Sequence, residues 1–263
     1  MSVLDPVSHA LAAVVATAHH SLTTLGAAPD AGPTWLLSIA AVVVVVRVAL
    51  LPLTVHGVRS AHATARARPQ LRDLAKRYRG RTDAASLQAY AEARRRIGAE
   101  HGTSRLGCLP LLLQLPVWLA LYHLLSDLAS STPVGAMDGG LVASLGSATL
   151  VGVQLADRGY LGGGAAHLAV VAGLAGAAAA LSYLTQRFLV APNTLVDDLP
   201  EAVGRAQQLM PALSAVGLLV AGAVVPVALI GYWLCNGLWT LGQSAVVYRW
   251  FPTPGTPAAR SRR

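Results

Sequence analysis

The sequence predicts an all-α, polytopic membrane protein: five transmembrane helices, a cytoplasmic helical hairpin and an N-terminal interfacial amphipathic helix. Three observations lead there. Of 263 residues, 54% are apolar and only 12% charged, against about 25% charged in a soluble domain, and the mean hydropathy is +0.53. Several apolar runs reach membrane length. The charge is gathered into residues 57–105, where twelve of the twenty basic residues face four acidic ones, an excess of eight that equals the net charge of the whole chain.

Residues 1–30 lack the basic start of a secretory signal, and His19 and His20 interrupt the apolar part. Leu4, Val7, Leu11, Val14, Val15, Ala18, Leu22 and Leu25 fall on one helical face, as for a helix lying in the outer interface. Residues 35–56 are the first span, about 33 Å long as a helix. The basic segment 57–105 follows, and the positive-inside rule places it in the cytoplasm. Its apolar spacing predicts two helices. One presents Leu71, Leu74, Ala75 and Tyr78 and ends at Gly80. The other starts near Thr82 or Asp83 and presents Leu87, Tyr90, Ala91 and Ile97.

Residues 106–128 are the second span, and 129–160 a weakly charged outer loop. The third span, 161–188, is rich in Ala and Gly, which suits close packing in lipid. After a cytoplasmic loop, 189–208, the run up to residue 248 is too long for one crossing. It divides near "AVVPV" into spans at 209–223 and 226–248, leaving 249–263 as a short basic cytoplasmic tail. The N-terminus is then outside and the C-terminus inside a bacterial plasma membrane.

One residue stands out. Arg47 sits in "VVVVVRVALLPL" (residues 42–53), where a cation near a span centre costs roughly 2.5–3.5 kcal/mol. It lies about 12 Å from the cytoplasmic end of its span at helical rise, too deep for simple snorkelling. The spans offer it no acid nearby, since Asp127 belongs to the outer end of the second span. The expectation is an uncompensated cation facing water inside the membrane. Gln114, Thr185, Gln186, Asn236 and Gln243 are further polar residues in the spans. Each by itself reads as an interhelical hydrogen-bonding residue, and together with Arg47 they can wet one cavity. Trp118, Trp233 and Trp239 read as packing or interface anchors. Pro52, Pro110 and Pro116 should bend the spans around the cavity.

Enzyme signatures are weak. "GQS" (residues 242–244) has the serine of an intramembrane protease motif without the following glycine, and only His167 could serve as its base. Cys108 and Cys235 lie far apart and read as small hydrophobes, with no metal spacing and no disulfide framework. No phosphate-binding loop or cofactor motif is present in the sequence.

The pattern resembles the YidC membrane-protein insertases and their mitochondrial oxidase-assembly and chloroplast relatives. "RVALLPL" (47–53), "ARPQLRDLAKRYRG" (67–80), "GCLPLLLQLPVWLALYHLL" (107–125), "QQLMP" (207–211) and "GYWLCNGLWTLGQ" (231–243) match in order, over roughly residues 35–250. "VVPVALIG" replaces the family's usual turn before the fifth span, and "TPGTPAARSRR" stands in place of the lysine-rich tail of some relatives. With no large extra-cytoplasmic domain before the first span, the chain looks like the family's short form. The resemblance implies an insertase without covalent chemistry, cofactor or nucleotide. It would take nascent membrane proteins into a hydrophilic groove formed by Arg47, Gln114, Gln186, Trp233 and Asn236, with Leu115 and Trp118 on the apolar substrate path. Membrane lipids, the ribosome and a Sec-type translocon are the further partners it suggests, with no specific nucleic-acid recognition. The alternative is a small-solute transporter or channel with an anion site at Arg47, although the matching halves common in transporters are missing from the sequence.

Overall fold

A computed structural model describes residues 5–103, 109–161, 163–195 and 201–261, and gives the helix path alone for 109–114 and for Glu201. Cys108 therefore lies outside the described residues. The described chain is mostly helical. Helix α1 (Asp5–Thr24) is followed by α2 (Gly32–Ala49), α3 (Leu51–Arg77), α4 (Ala84–Glu100) and α5 (Leu109–Ala129). A short α6 (Gly139–Ser147) and a two-strand hairpin, β1 (Thr149–Leu150) and β2 (Val153–Gln154), lead to α7 (Gly164–Leu184). A π turn (Thr185–Val190) and a 3-10 turn (Ala191–Asn193) end α7. Helices α8 (Glu201–Ala221), α9 (Val227–Trp250) and α10 (Pro257–Arg260) complete the chain.

Two of the described helical segments, Gly32–Ala49 and Gly164–Asn193, are long and apolar enough to cross a membrane, with mean hydropathies of 1.9 and 1.8; Leu115–Ala129 is a shorter apolar helix. Helix α8 turns Leu209, Met210, Leu213, Val216 and Val220 outward, and α2 does the same with Leu37, Val44, Val45 and Val48. Apolar faces of this extent suit lipid better than water.

The first helix boundary falls inside the run expected to be a single span. α2 stops at Leu50, and Pro52, in the first turn of α3, explains the stop, because proline lacks the N–H that would continue the α2 ladder. From Leu51 the chain runs through to Arg77 as one helix. The end of the expected first span and the first arm of the hairpin are thus one element. Gly57, in its interior, costs only about 1 kcal/mol relative to Ala and does not break it. The α8 helix likewise starts inside the segment expected to be a loop, and the expected tail contains α10.

The second arm begins where Asp83 caps it: the Asp83 carboxylate accepts the backbone N–H of Ser86 at 2.8 Å. The arms meet at Tyr78 and Tyr90, whose ring centroids are 5.8 Å apart. Of the rest of the expected inner face, Leu74 on α3 is buried, whereas the α4 side is not. α4 has no buried residue, Ala91 is exposed and Leu87 is 55% exposed, because the arms are held together near their tip alone. Leu25, expected on the apolar face of α1, lies past the helix end at Thr24 and is exposed. Leu11 and Val15 of that face are buried, as is the neighbouring Ala12.

The core sits at one end of the bundle, where 129–160 forms a folded cap. Leu11 and Val15 of α1, Trp35, Ile39 and Val42 of α2, Leu121, Leu124 and Leu128 of α5, Met137, Leu145 and Leu155 of the cap, and Leu229 and Ile230 of α9 make one buried cluster. The cap also supplies what α9 lacks. The first N–H groups of a helix need external acceptors, and Pro226 offers no side-chain cap. The N–H groups of Val227 and Ala228 donate instead to the carbonyls of Asp157 and Leu155, both at 2.9 Å. His167 Nε2 lies 3.0 Å from the Gly159 carbonyl and its Nδ1 3.6 Å from Asp157. Arg158 Nη2 donates to Ser126 and Ser130 at the end of α5. Trp35, fully buried, stacks on His19 with centroids 4.0 Å apart, and its Nε1 donates to Ser144 Oγ.

Candidate functional site: an intrahelical arginine at the unsealed side of the bundle

Arg47 lies fifteen residues along α2 from the capped end, beyond the buried Val42 and Val43. Helix α9 packs against α2 on the way to it, with Gly231 beside Leu36 Cδ2 of α2. Five and nine residues further on, Asn236 and Thr240 share one face of α9. Asn236 Oδ1 accepts both Arg47 Nη2, at 2.7 Å, and Arg47 Nε, at 3.2 Å. Thr240 Oγ1 accepts Nη2 at 3.0 Å and passes its own proton to the Asn236 carbonyl at 2.7 Å.

This revises the expectation for Arg47. The side chain is half-buried and hydrogen-bonded, so it does not simply face water. Its acceptors are nevertheless neutral, and no carboxylate among the described residues pairs with it. The guanidinium is therefore oriented by two dipoles while its charge stays uncancelled. Amide and hydroxyl acceptors lower the cost of burying the cation without creating the ion pair whose loss would strand a carboxylate.

The other expected groove residues are placed differently. Gln186, in the π turn, donates to Ser182 Oγ at 3.1 Å and lies 3.4 Å from Ser214 Oγ, tying α7 to α8. Trp233 is half-buried and packs against the core cluster. The side chain of Gln114 lies outside the described residues. Thr185 is buried and bonds back to Leu181, and Trp239 Nε1 donates to Gln243 within α9. On α5, Leu115 is 47% and Trp118 40% exposed, and Val117 and Leu121 border a void of about 10 Å³ beside Arg47. Thr240 was missed from sequence alone. The available signal was its i, i+4 spacing from Asn236, which puts two polar groups on one face of an apolar helix.

Beyond Arg47 the bundle opens. A cleft of about 910 Å³ lies between α3, Asn193–Leu195 and the end of α9. His56, His62, Arg68 and Arg72 line it, and no acidic residue does among the described residues. Ser244, the serine of the protease-like motif, sits seventeen residues along α9, about 25 Å from its capped start at helical rise. His167 is held at that start by Gly159 and Asp157, so the two cannot form a nucleophile and base.

The description of the 60Kd inner membrane protein family matches residues 27–254. The chain belongs to that family. A membrane protein insertase YidC from Streptomyces avermitilis is 31% identical over 240 residues, which cover 87% of this chain and 54% of the relative. Proteins of the same name from Bifidobacterium longum and Tropheryma whipplei strain Twist are 24% and 27% identical, over 99% and 100% of this chain and 79% and 88% of their own length. The chain thus spans about half of the Streptomyces relative and most of the other two. As a member of this family it is a helical protein of the bacterial inner membrane. The relatives give the transporter or channel alternative no support.

Proposed function

We propose that the chain is a membrane-protein insertase, which receives hydrophobic nascent chains beside Arg47 and releases them into the bilayer. The observation that carries this is the arginine within an apolar helix, oriented by Asn236 and Thr240 without a carboxylate. Five spans are proposed: α2, α5, α7, α8 and α9, with the cap and the N-terminus outside and α3, α4 and the C-terminus inside. The cluster of basic charge on the hairpin supports that orientation. Helix α1, with its single buried face, lies along the outer interface.

In this reading an acidic tail enters through the basic cleft and pairs transiently with Arg47. A pair about 4 Å apart gains about 4 kcal/mol at an effective dielectric near 20, before desolvation is subtracted. That holds a tail without trapping it. The membrane potential then favours outward passage of an anion by about 2.3 kcal/mol per charge per 100 mV. The substrate's apolar span leaves past Leu115 and Trp118, where burial in lipid supplies about 25 cal/mol per Å². Trp233, Gln114 and Gln186 complete the proposed path. The ribosome and a Sec-type translocon are proposed partners of the hairpin side. No covalent step, cofactor or nucleotide is needed.

Site-directed cross-linking tests this directly. A ribosome-bound nascent chain should cross-link to probes at Leu115 and Thr240, and an outward probe at Val220 should be silent. Equal labelling at all three would sink the groove.

A further inference from the structure

The hydrogen bonds that hold Arg47 also decide which part of its guanidinium a substrate can reach. A guanidinium carries five N–H groups in a fixed fork. Two edges of that fork can take both oxygens of a carboxylate at once: Nε with Nη2 at the side, and Nη1 with Nη2 at the end. Asn236 Oδ1 accepts from Nε at 3.2 Å and from Nη2 at 2.7 Å, so the side edge is fully taken. Thr240 Oγ1 accepts from Nη2 at 3.0 Å, which removes half of the end edge. The Thr240 proton is committed to the Asn236 carbonyl at 2.7 Å, so the hydroxyl presents its oxygen to the arginine. Nη1 meets no acceptor among the described residues and is not sealed inside the protein.

We propose that Asn236 and Thr240 are positioning residues that limit the grip of Arg47, leaving Nη1 as the docking point for a carboxylate of an acidic tail. The proposal rests on the insertase reading and adds to it how the tail is let go. A carboxylate held on Nη1 gains the attraction of the charge but forgoes the second parallel hydrogen bond of a two-pronged pair. Neutral acceptors are what this requires. A carboxylate at position 236 would block the side edge too, but it would cancel the charge that draws the tail. Apolar residues at 236 and 240 would leave both edges open to the substrate and slow its departure. An amide and a hydroxyl block the edges and keep the charge.

The test uses the full chain in lipid nanodiscs and a single-span substrate whose N-terminal tail carries either aspartates or asparagines. The dwell time of the tail is read as loss of energy transfer from a dye on it to one coupled to the C-terminus of the protein. The wild type should hold the aspartate tail longer than the asparagine tail. Thr240→Val frees the end edge at nearly unchanged side-chain size. It should lengthen the aspartate dwell about ten-fold, the effect of one further hydrogen bond to a charged group, and leave the asparagine dwell unchanged. Thr240→Ser should behave as wild type. Asn236→Asp should shorten the aspartate dwell to that of the asparagine tail. In an Arg47→Lys background Thr240→Val should have no effect, since an ammonium has no fork. Melting curves establish that each variant is folded. A merely structural role predicts instead that Thr240→Val and Asn236→Asp impair both tails alike. That result, or an aspartate dwell that Thr240→Val leaves unchanged or shortens, would overturn the proposal while the wild-type preference for acidic tails stood. Equal wild-type dwell of the two tails would sink the entry step of the insertase reading itself, and the proposal with it.

Discussion

Arg47 is tolerated in an apolar helix because Asn236 and Thr240 accept its protons while leaving its charge in place. Charge should therefore outweigh donor geometry. Arg47→Lys keeps the cation and loses the planar fork, so it should retain most insertion of acidic-tailed substrates. Arg47→Ala should lose most of that insertion and spare neutral-tailed substrates. Its melting temperature in detergent should stay close to wild type, because no carboxylate is stranded. A variant that melts early and fails equally on both substrates would make the arginine architectural.

At the scale of elements, the hairpin arms are joined near Tyr78 and Tyr90 and bury little else, so α4 should open easily. Its N-terminus is anchored by the Asp83 cap. The Ser86 backbone N–H, and then the Ser86 side chain, hold the Asp83 carboxyl below its ordinary value. A carboxylate favoured in the folded state stabilises above the ordinary value, and the effect is lost as pH falls through the lowered one. The protection of the Ser86 and Leu87 amides, the intrinsic exchange rate divided by the observed one at the same pH, should fall on acidification through that window. In Asp83→Ala the protection should be low throughout and lose this acid dependence.

Across the whole molecule, the sealed end depends on close backbone contacts. Gly159 has φ +71°, and a Cβ there would meet the Ala223 carbonyl. Gly159→Ala combines an unfavourable backbone conformation with that collision and should cost about 1–3 kcal/mol, read as a lower melting temperature in detergent. The topology itself makes a separate prediction. A cysteine at Ala84, in the first turn of α4, should resist an impermeant maleimide applied outside intact cells. It should react once the cells are opened. Strong labelling of intact cells would invert the proposed orientation and remove the cytoplasmic entry route with it.

The helical class, a perturbation of the first span at Pro52, a helix start at Thr82 or Asp83 and the cost of placing Arg47 in an apolar run were legible in the sequence, because each follows from local chemistry. The full helix stop before Pro52 was not expected. Proline cannot donate, aspartate caps, and a cation in an apolar run is costly wherever the chain goes. What surrounds Arg47 was legible only in part. Asn236 could be named as a polar residue in a span, but its meeting with Arg47, 189 residues away in the chain, depends on how α9 packs against α2. Thr240 joins the arginine through the same packing. The sealed end was not legible at all: the weakly charged stretch 129–160 read as a loop, whereas its carbonyls cap α9 and its apolar residues complete the core. Local propensity sets where helices begin and end. Which helix faces meet, and hence which polar groups share the arginine and which end of the bundle closes, is decided by packing between residues far apart in the chain.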